Sequence, residues 1–90
     1  MSSLPNMLVG EDLQFSFDYV AYITGGVTIS NTSCTVVTGQ NCVNVHSLAV
    51  SNTKVTFWTS ALEVGQASFD IFAHLTDGTI KGERAKIRIM

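Results

Sequence analysis

Apolar and polar residues alternate with a period of two along most of this chain, which is the signature of strands with one buried face. The clearest case is Leu13, Phe15, Phe17 and Tyr19, separated by Gln14, Ser16 and Asp18 and preceded by Asp12. Gly25-Gly26 then punctuates a loop. Val27 and Ile29 open a second extended segment, which resumes from Cys34 to Val37 after the polar run Ser30 to Ser33. Such a run is expected at a bulge or where a strand changes sheets. Thr38-Gly39-Gln40-Asn41 has the composition of a hairpin turn. Read as one, it sets Val37 against Cys42 and Cys34 against Val45.

The third segment, Val43, Val45, Leu48 and Val50, changes phase near Ser47, and Ser51-Asn52 is a turn signal. Val55 and Phe57 point one way, with Thr56 and Trp58 the other. After a loop ending at Gly65, the residues Phe69, Ile71, Ala73 and Leu75 form another alternating strand. Asp77-Gly78 predicts a tight hairpin. The last strand begins near Ile80 and resumes after Gly82 with Ala85, Ile87 and Ile89 inward. No segment has a helical stripe. The single proline, Pro5, lies outside every strand. About seven short strands with frequent turns predict an all-β, immunoglobulin-like antiparallel β-sandwich. Residues 11–90 form its one domain, and residues 1–10 are expected to be a flexible N-terminal arm.

Composition adds a question about surface. The 90 residues are 46% hydrophobic and only 13% charged, with a mean hydropathy of +0.28. A domain of this size buries a limited fraction of its surface, so part of the apolar content is expected to be covered in an assembly. The formal net charge is -2, and there is no basic patch of the kind that grips phosphates. A nucleic-acid partner is therefore not expected. Lys81, Arg84, Lys86 and Arg88 cluster near the C-terminus among apolar residues, as on the solvated face of a strand. No run is long enough for a transmembrane helix, and the first residues lack the charged and apolar regions of a signal peptide. Neither a membrane nor an export step is expected, and synthesis is placed in a cytoplasm. Cys34 and Cys42 are then expected as reduced thiols.

The chemistry-bearing residues do not assemble into a pattern. Cys34, Cys42, His46 and His74 have the ligand types of a zinc site without its spacing. His74 shares a strand face with Asp70, which predicts a local ion pair. No serine has the context of a nucleophile elbow. No catalytic residue, metal or cofactor is expected, and the chain reads as a non-enzyme. Outward aromatics are the stronger signal. If Phe57 and Ile71 are core residues, Trp58 and Phe72 face out and could share one contact surface. A one-residue shift of phase would put both inside. Tyr22 beside the first loop, and Leu4, Met7, Leu8 and Val9 in the apolar arm, complete the expected partner-binding set.

A family resemblance gives these features a setting. Phe15-Ser-Phe-Asp18-Tyr19, Gly26 before Val27-Thr-Ile29, Val55-Thr-Phe57-Trp58 followed by Gly65, Leu75-Thr76-Asp77-Gly78 and Glu83-Arg84 occur in an order that resembles the phage fibre-tail adaptors and their immunoglobulin-like small virion relatives. The likeness spans most of residues 12–90. The chain departs from the pattern at Ala61 to Val64, where more glycine is expected, at Thr79, where arginine is expected, and across residues 30–50. The resemblance implies a multi-copy virion component that binds other virion proteins at a tail, head-tail junction or fibre. Capsid decoration is the alternative within that class. A carbohydrate-binding adhesion module, stacking sugars on Trp58, Phe72 or Tyr22, is the alternative outside it.

Overall fold

The computed structural model describes residues 2–90. Seven strands form two sheets. They are β1 (Ser2–Ser3), β2 (Asp12–Asp18), β3 (Ile29–Thr38), β4 (Val43–Ser51), β5 (Lys54–Ala61), β6 (Gly65–Leu75) and β7 (Ile80–Ile89). One sheet has the order β1-β7-β6-β3 and the other β2-β5-β4. All neighbours are antiparallel except β1 and β7, which run parallel. The fold is an all-β sandwich of these two sheets, elongated to 43 × 19 × 17 Å.

The alternation read from the sequence sets the core. Val55, Phe57, Thr59 and Ala61 of β5 are buried, as are Phe69, Ile71, Ala73 and Leu75 of β6 and Ala85, Ile87 and Ile89 of β7. Phe57 joins the two layers. Its ring lies 5.2 Å from that of Phe17 and 6.0 Å from that of Phe15 in its own sheet. It meets Phe69 of the opposite sheet edge-on, at 5.7 Å and 83°. That arrangement sets the positive edge of one ring against the negative face of the other. Tyr19, at the end of β2, crosses between layers as well, and its hydroxyl donates to the Ile71 carbonyl at 2.7 Å.

One buried group in this core lacks a partner among the described residues. The Thr59 hydroxyl is fully buried and makes no hydrogen bond. Burying an unpaired hydroxyl costs free energy that a methyl group would not. Thr59→Val is therefore expected to stabilise the fold by about 1 kcal/mol. Thermal unfolding should move up by roughly 4–8 °C. An unchanged or lower midpoint would show that the hydroxyl is satisfied after all.

Several expectations hold at the level of turns. The phase change near Ser47 is a bulge in the β4–β5 ladder between His46 and Ala49, with Ser47 at φ 55°. The polar run after Ile29 also contains a bulge, between Ile29 and Asn31. Asp77-Gly78 closes the β6–β7 hairpin with Gly78 at φ 92°, and the Asp77 carboxylate accepts from the Thr79 N–H at 2.9 Å.

Residues 38–41 do not make a hairpin. β3 pairs with β6 and β4 with β5, so the chain changes sheets there. Gly39, at φ 71°, lies against the backbone of Gln66 and Ala67, an approach that a Cβ would block. This glycine lets the chain cross the end of the sandwich. The last strand is also unbroken at Gly82, where the β6–β7 register runs on without a shift and Gly82 pairs with Phe72, whose ring a Cβ there would meet at 2.8 Å.

The N-terminal residues are not a free arm. β1 pairs with Ala85 and Lys86. Beyond it, the N–H groups of Leu4 and Met7 donate to the carbonyls of Lys86 and Arg88 at 2.8 and 3.0 Å. Met7 is only 1% exposed and belongs to the core. Extended backbone beside the open edge of β7 satisfies its polar groups by pairing, and the Met7 side chain fills the end of the sandwich. Met1 lies outside the described residues.

Candidate functional site

The residues expected at a contact surface separate into four groups. Met7 is withdrawn from that set, because it is spent on this chain's own core, and Leu4 packs partly against the core. Trp58 and Phe72 do face outward, each half-buried between fully buried neighbours. They do not share a surface, because β5 and β6 belong to opposite sheets. Period two assigns a side chain to the inside or outside of its own sheet; it does not say which sheet. Tyr22 is exposed on the loop after β2, with the Lys81 ammonium 4.5 Å above its ring.

Leu8 and Val9 meet residues that the sequence did not bring to notice. At this end of the sandwich the chain segments are tied together by backbone hydrogen bonds. The Val9 N–H donates to the Met90 carbonyl, Gly10 to Ala61, and Leu62 to Cys42. The Cys42 thiol points to the Val64 carbonyl at 3.9 Å. Leu8, Val9, Leu62, Val64 and Met90 are all between 49% and 72% exposed here. Five large apolar side chains thus crown one pole. The nearby charges are few: Glu11 is partly engaged in accepting from the Leu8 N–H, and Glu63 sits in the same loop as Val64. Exposed apolar residues gathered in one place mark contact surfaces more than scattered ones do.

A polar network lies on the outer face of the smaller sheet. His46 Nε2 is 3.1 Å from Asp12 Oδ1 and 3.2 Å from the Ser60 hydroxyl. Ser60 also donates to Asp12 Oδ1 at 3.0 Å. His46 Nδ1 is 2.9 Å from the Ser47 hydroxyl. With the proton on Nε2, His46 donates to Asp12 and accepts from Ser47. This is the order of groups in an acid–base relay. Asp12 and His46 are 46% and 34% exposed, so the network lies open to solvent on the sheet surface. The arrangement serves to join β2, β4 and β5 across the bulge at Ser47.

The larger sheet carries a second pairing. Arg84 donates through Nε and a terminal nitrogen to both carboxylate oxygens of Asp70, at 2.7 and 3.0 Å. The Arg84 hydrogen bonds hold the Asp70 carboxyl below its ordinary range. The expected Asp70–His74 pair is replaced by this fork, since Arg84 lies directly opposite Asp70 in the β6–β7 register. His74 instead meets the Ser33 hydroxyl at 3.0 Å.

Both cysteines are free thiols. Burial, with a smaller contribution from the Asp70 charge, pushes the Cys34 thiol up to about 11. Keeping this thiol neutral stabilises the fold below the ordinary thiol value of 9.0, and that contribution is lost as pH rises towards about 11. In a Cys42→Ser variant, alkylation of Cys34 by iodoacetamide should therefore keep accelerating about tenfold per pH unit well past pH ~9. A rate that levels off near pH ~9 would show a thiol in ordinary solvent.

No protein-family model matches the chain, and no curated protein is significantly similar to it in sequence. Among solved structures, the solution structure of Amebosin is similar, with 10% identity and a TM-score of 0.49 over 98% of this chain and 88% of that one. A likeness of that size supports no inference about this chain.

Proposed function

We propose that this domain is a structural subunit of a tailed-phage virion that binds other virion proteins as a tail, head-tail or fibre adaptor. The observation that carries the binding role is the apolar pole of Leu8, Val9, Leu62, Val64 and Met90. A folded domain whose core is already complete gains nothing from exposing these side chains in water. Covering them against a partner removes that surface from solvent. The virion setting rests on the motif order from Phe15 to Arg84. The carbohydrate reading draws less from the geometry, because Trp58 and Phe72 lie on opposite sheets and cannot form one stacking platform.

Purified particles, analysed by mass spectrometry for this chain and its ratio to capsid protein, test the setting. A ratio far below one in tail-bearing particles is expected. A ratio near one would transfer the protein to capsid decoration, and absence from particles would end both readings. Leu62→Asp with Val64→Asp tests the surface. These exposed substitutions should leave the fold intact and abolish incorporation into particles. Normal incorporation of the folded variant would remove the pole from the binding role.

A further inference from the structure

An open sandwich has sheet edges, and each unpaired edge is a template for another strand. Natural sheets protect edges with charges, proline, shortness or bulges. The four edges of this molecule differ in that respect. The β1 edge has two strand residues followed closely by Pro5. The β2 edge has Asp12 at one end and Asp18 at the other. Antiparallel pairing of β2 with its own copy about Phe15 would set Asp12 against Asp18 of that copy, a repulsive arrangement. The β4 edge is kinked at Ser47.

β3 has none of these protections in its middle. Its ladder to β6 is regular from Asn31 to Val36, and its other side is the open edge of the larger sheet. From Tyr19 to Thr53 the sequence contains no aspartate, glutamate, lysine or arginine. Ser33 and Thr35 are exposed, while Thr32, Cys34 and Val36 turn towards the core side. Both irregularities of the strand flank the regular run, one between Ile29 and Asn31 and the other between Val36 and Thr38.

We infer that β3 pairs antiparallel with β3 of a second copy of this chain, joining two four-stranded sheets across a two-fold axis. The choice of a copy as the occupant comes from the symmetry of the strand. An isologous contact requires a surface that is complementary to itself. The two bulges lie evenly about the middle of Asn31–Val36, so a strand turned end for end meets regular backbone with regular backbone. Side-chain facing is preserved when the axis passes at Ser33 or at Cys34. At Ser33, Thr32 opposes Cys34 of the copy; at Cys34, Ser33 opposes Thr35 of the copy. Either register matches polar residues on the outer face and continues the half-buried row of Thr32, Cys34 and Val36 on the inner one. No charge opposes a like charge. This pairing is independent of the virion reading and of the apolar pole.

Sedimentation equilibrium of the full chain from about 10 µM to about 1 mM covers the range of a small, weak interface. The mass is expected to rise from 9.7 kDa towards twice that value. Ser33→Lys with Thr35→Lys sets lysines against each other in both registers and should weaken association at least tenfold. Gln14→Lys with Ser16→Lys adds the same charge to the β2 edge and should leave association unchanged. In the unaltered protein, amide exchange within Asn31–Val36 should slow as concentration rises. A mass of 9.7 kDa throughout, equal weakening by both double variants, or protection of β3 that appears only when another protein is added would each overturn self-pairing.

Discussion

Phe57→Ala is expected to destabilise the domain by about 3–5 kcal/mol. The ring is fully buried and touches Phe15 and Phe17 in its own sheet and Phe69 in the other. Its removal takes away the apolar transfer energy of the side chain and leaves a cavity between two sheets that cannot close on each other freely. A domain of this length has a total stability of roughly 5–13 kcal/mol. The variant should therefore unfold at least about 15 °C lower, followed by far-ultraviolet circular dichroism. A fall of only a few degrees would mean that the three surrounding rings repack, and that the inter-sheet contact is not what holds the layers together. Loss at Phe69 should be of similar size, because the two rings form one contact.

Met7→Ala carries the second large effect, about 2–4 kcal/mol. The interest lies in its position ahead of the first long strand. A mobile arm would tolerate the change with no shift in stability. Here Met7 is in the core, its N–H donates to the Arg88 carbonyl, and its carbonyl accepts from the Met90 N–H. Chemical denaturation should show a lower midpoint with an unaltered slope, as expected when the same surface is exposed on unfolding. An unchanged midpoint would return residues 2–9 to the status of an appendage. Deleting these residues is a poor test of partner binding for the same reason, since it removes part of the sheet.

The contrast between Phe57 and Met7 shows what the sequence could and could not disclose. Phe57 sits in an alternating run with Val55, and such runs report the buried face of a strand directly. Met7 opens the apolar run Met7-Leu8-Val9 between Pro5 and Gly10, where no alternation exists to be read. Its burial follows from the open edge of β7, which is a property of the assembled sheet. The sheet change at Gly39 was hidden for a related reason. Turn composition says that the chain reverses, while the partner of each strand depends on long-range packing. Trp58 and Phe72 inherited that ambiguity.

The candidate surface was half legible. Leu8 and Val9 are consecutive and apolar in a segment without strand alternation, which marks them out. Leu62, Val64 and Met90 join them only through the hydrogen bonds that gather Gly10, Ala61, Cys42 and Met90 at one end. The relay of Asp12, His46, Ser47 and Ser60 was equally invisible, because the bulge after His46 resets which residues of β4 oppose β5.

The parallel pairing of the first segment with the last strand has a mechanical consequence. A pull applied along the chain at Ser2 and at Met90 acts in opposite directions on two side-by-side parallel strands. The bonds from Ser2 through Val9 to the β7 side then lie across the load and must give way nearly together, instead of opening one after another like a zip. A domain built this way transmits tension between its two ends without lengthening until the whole seam fails.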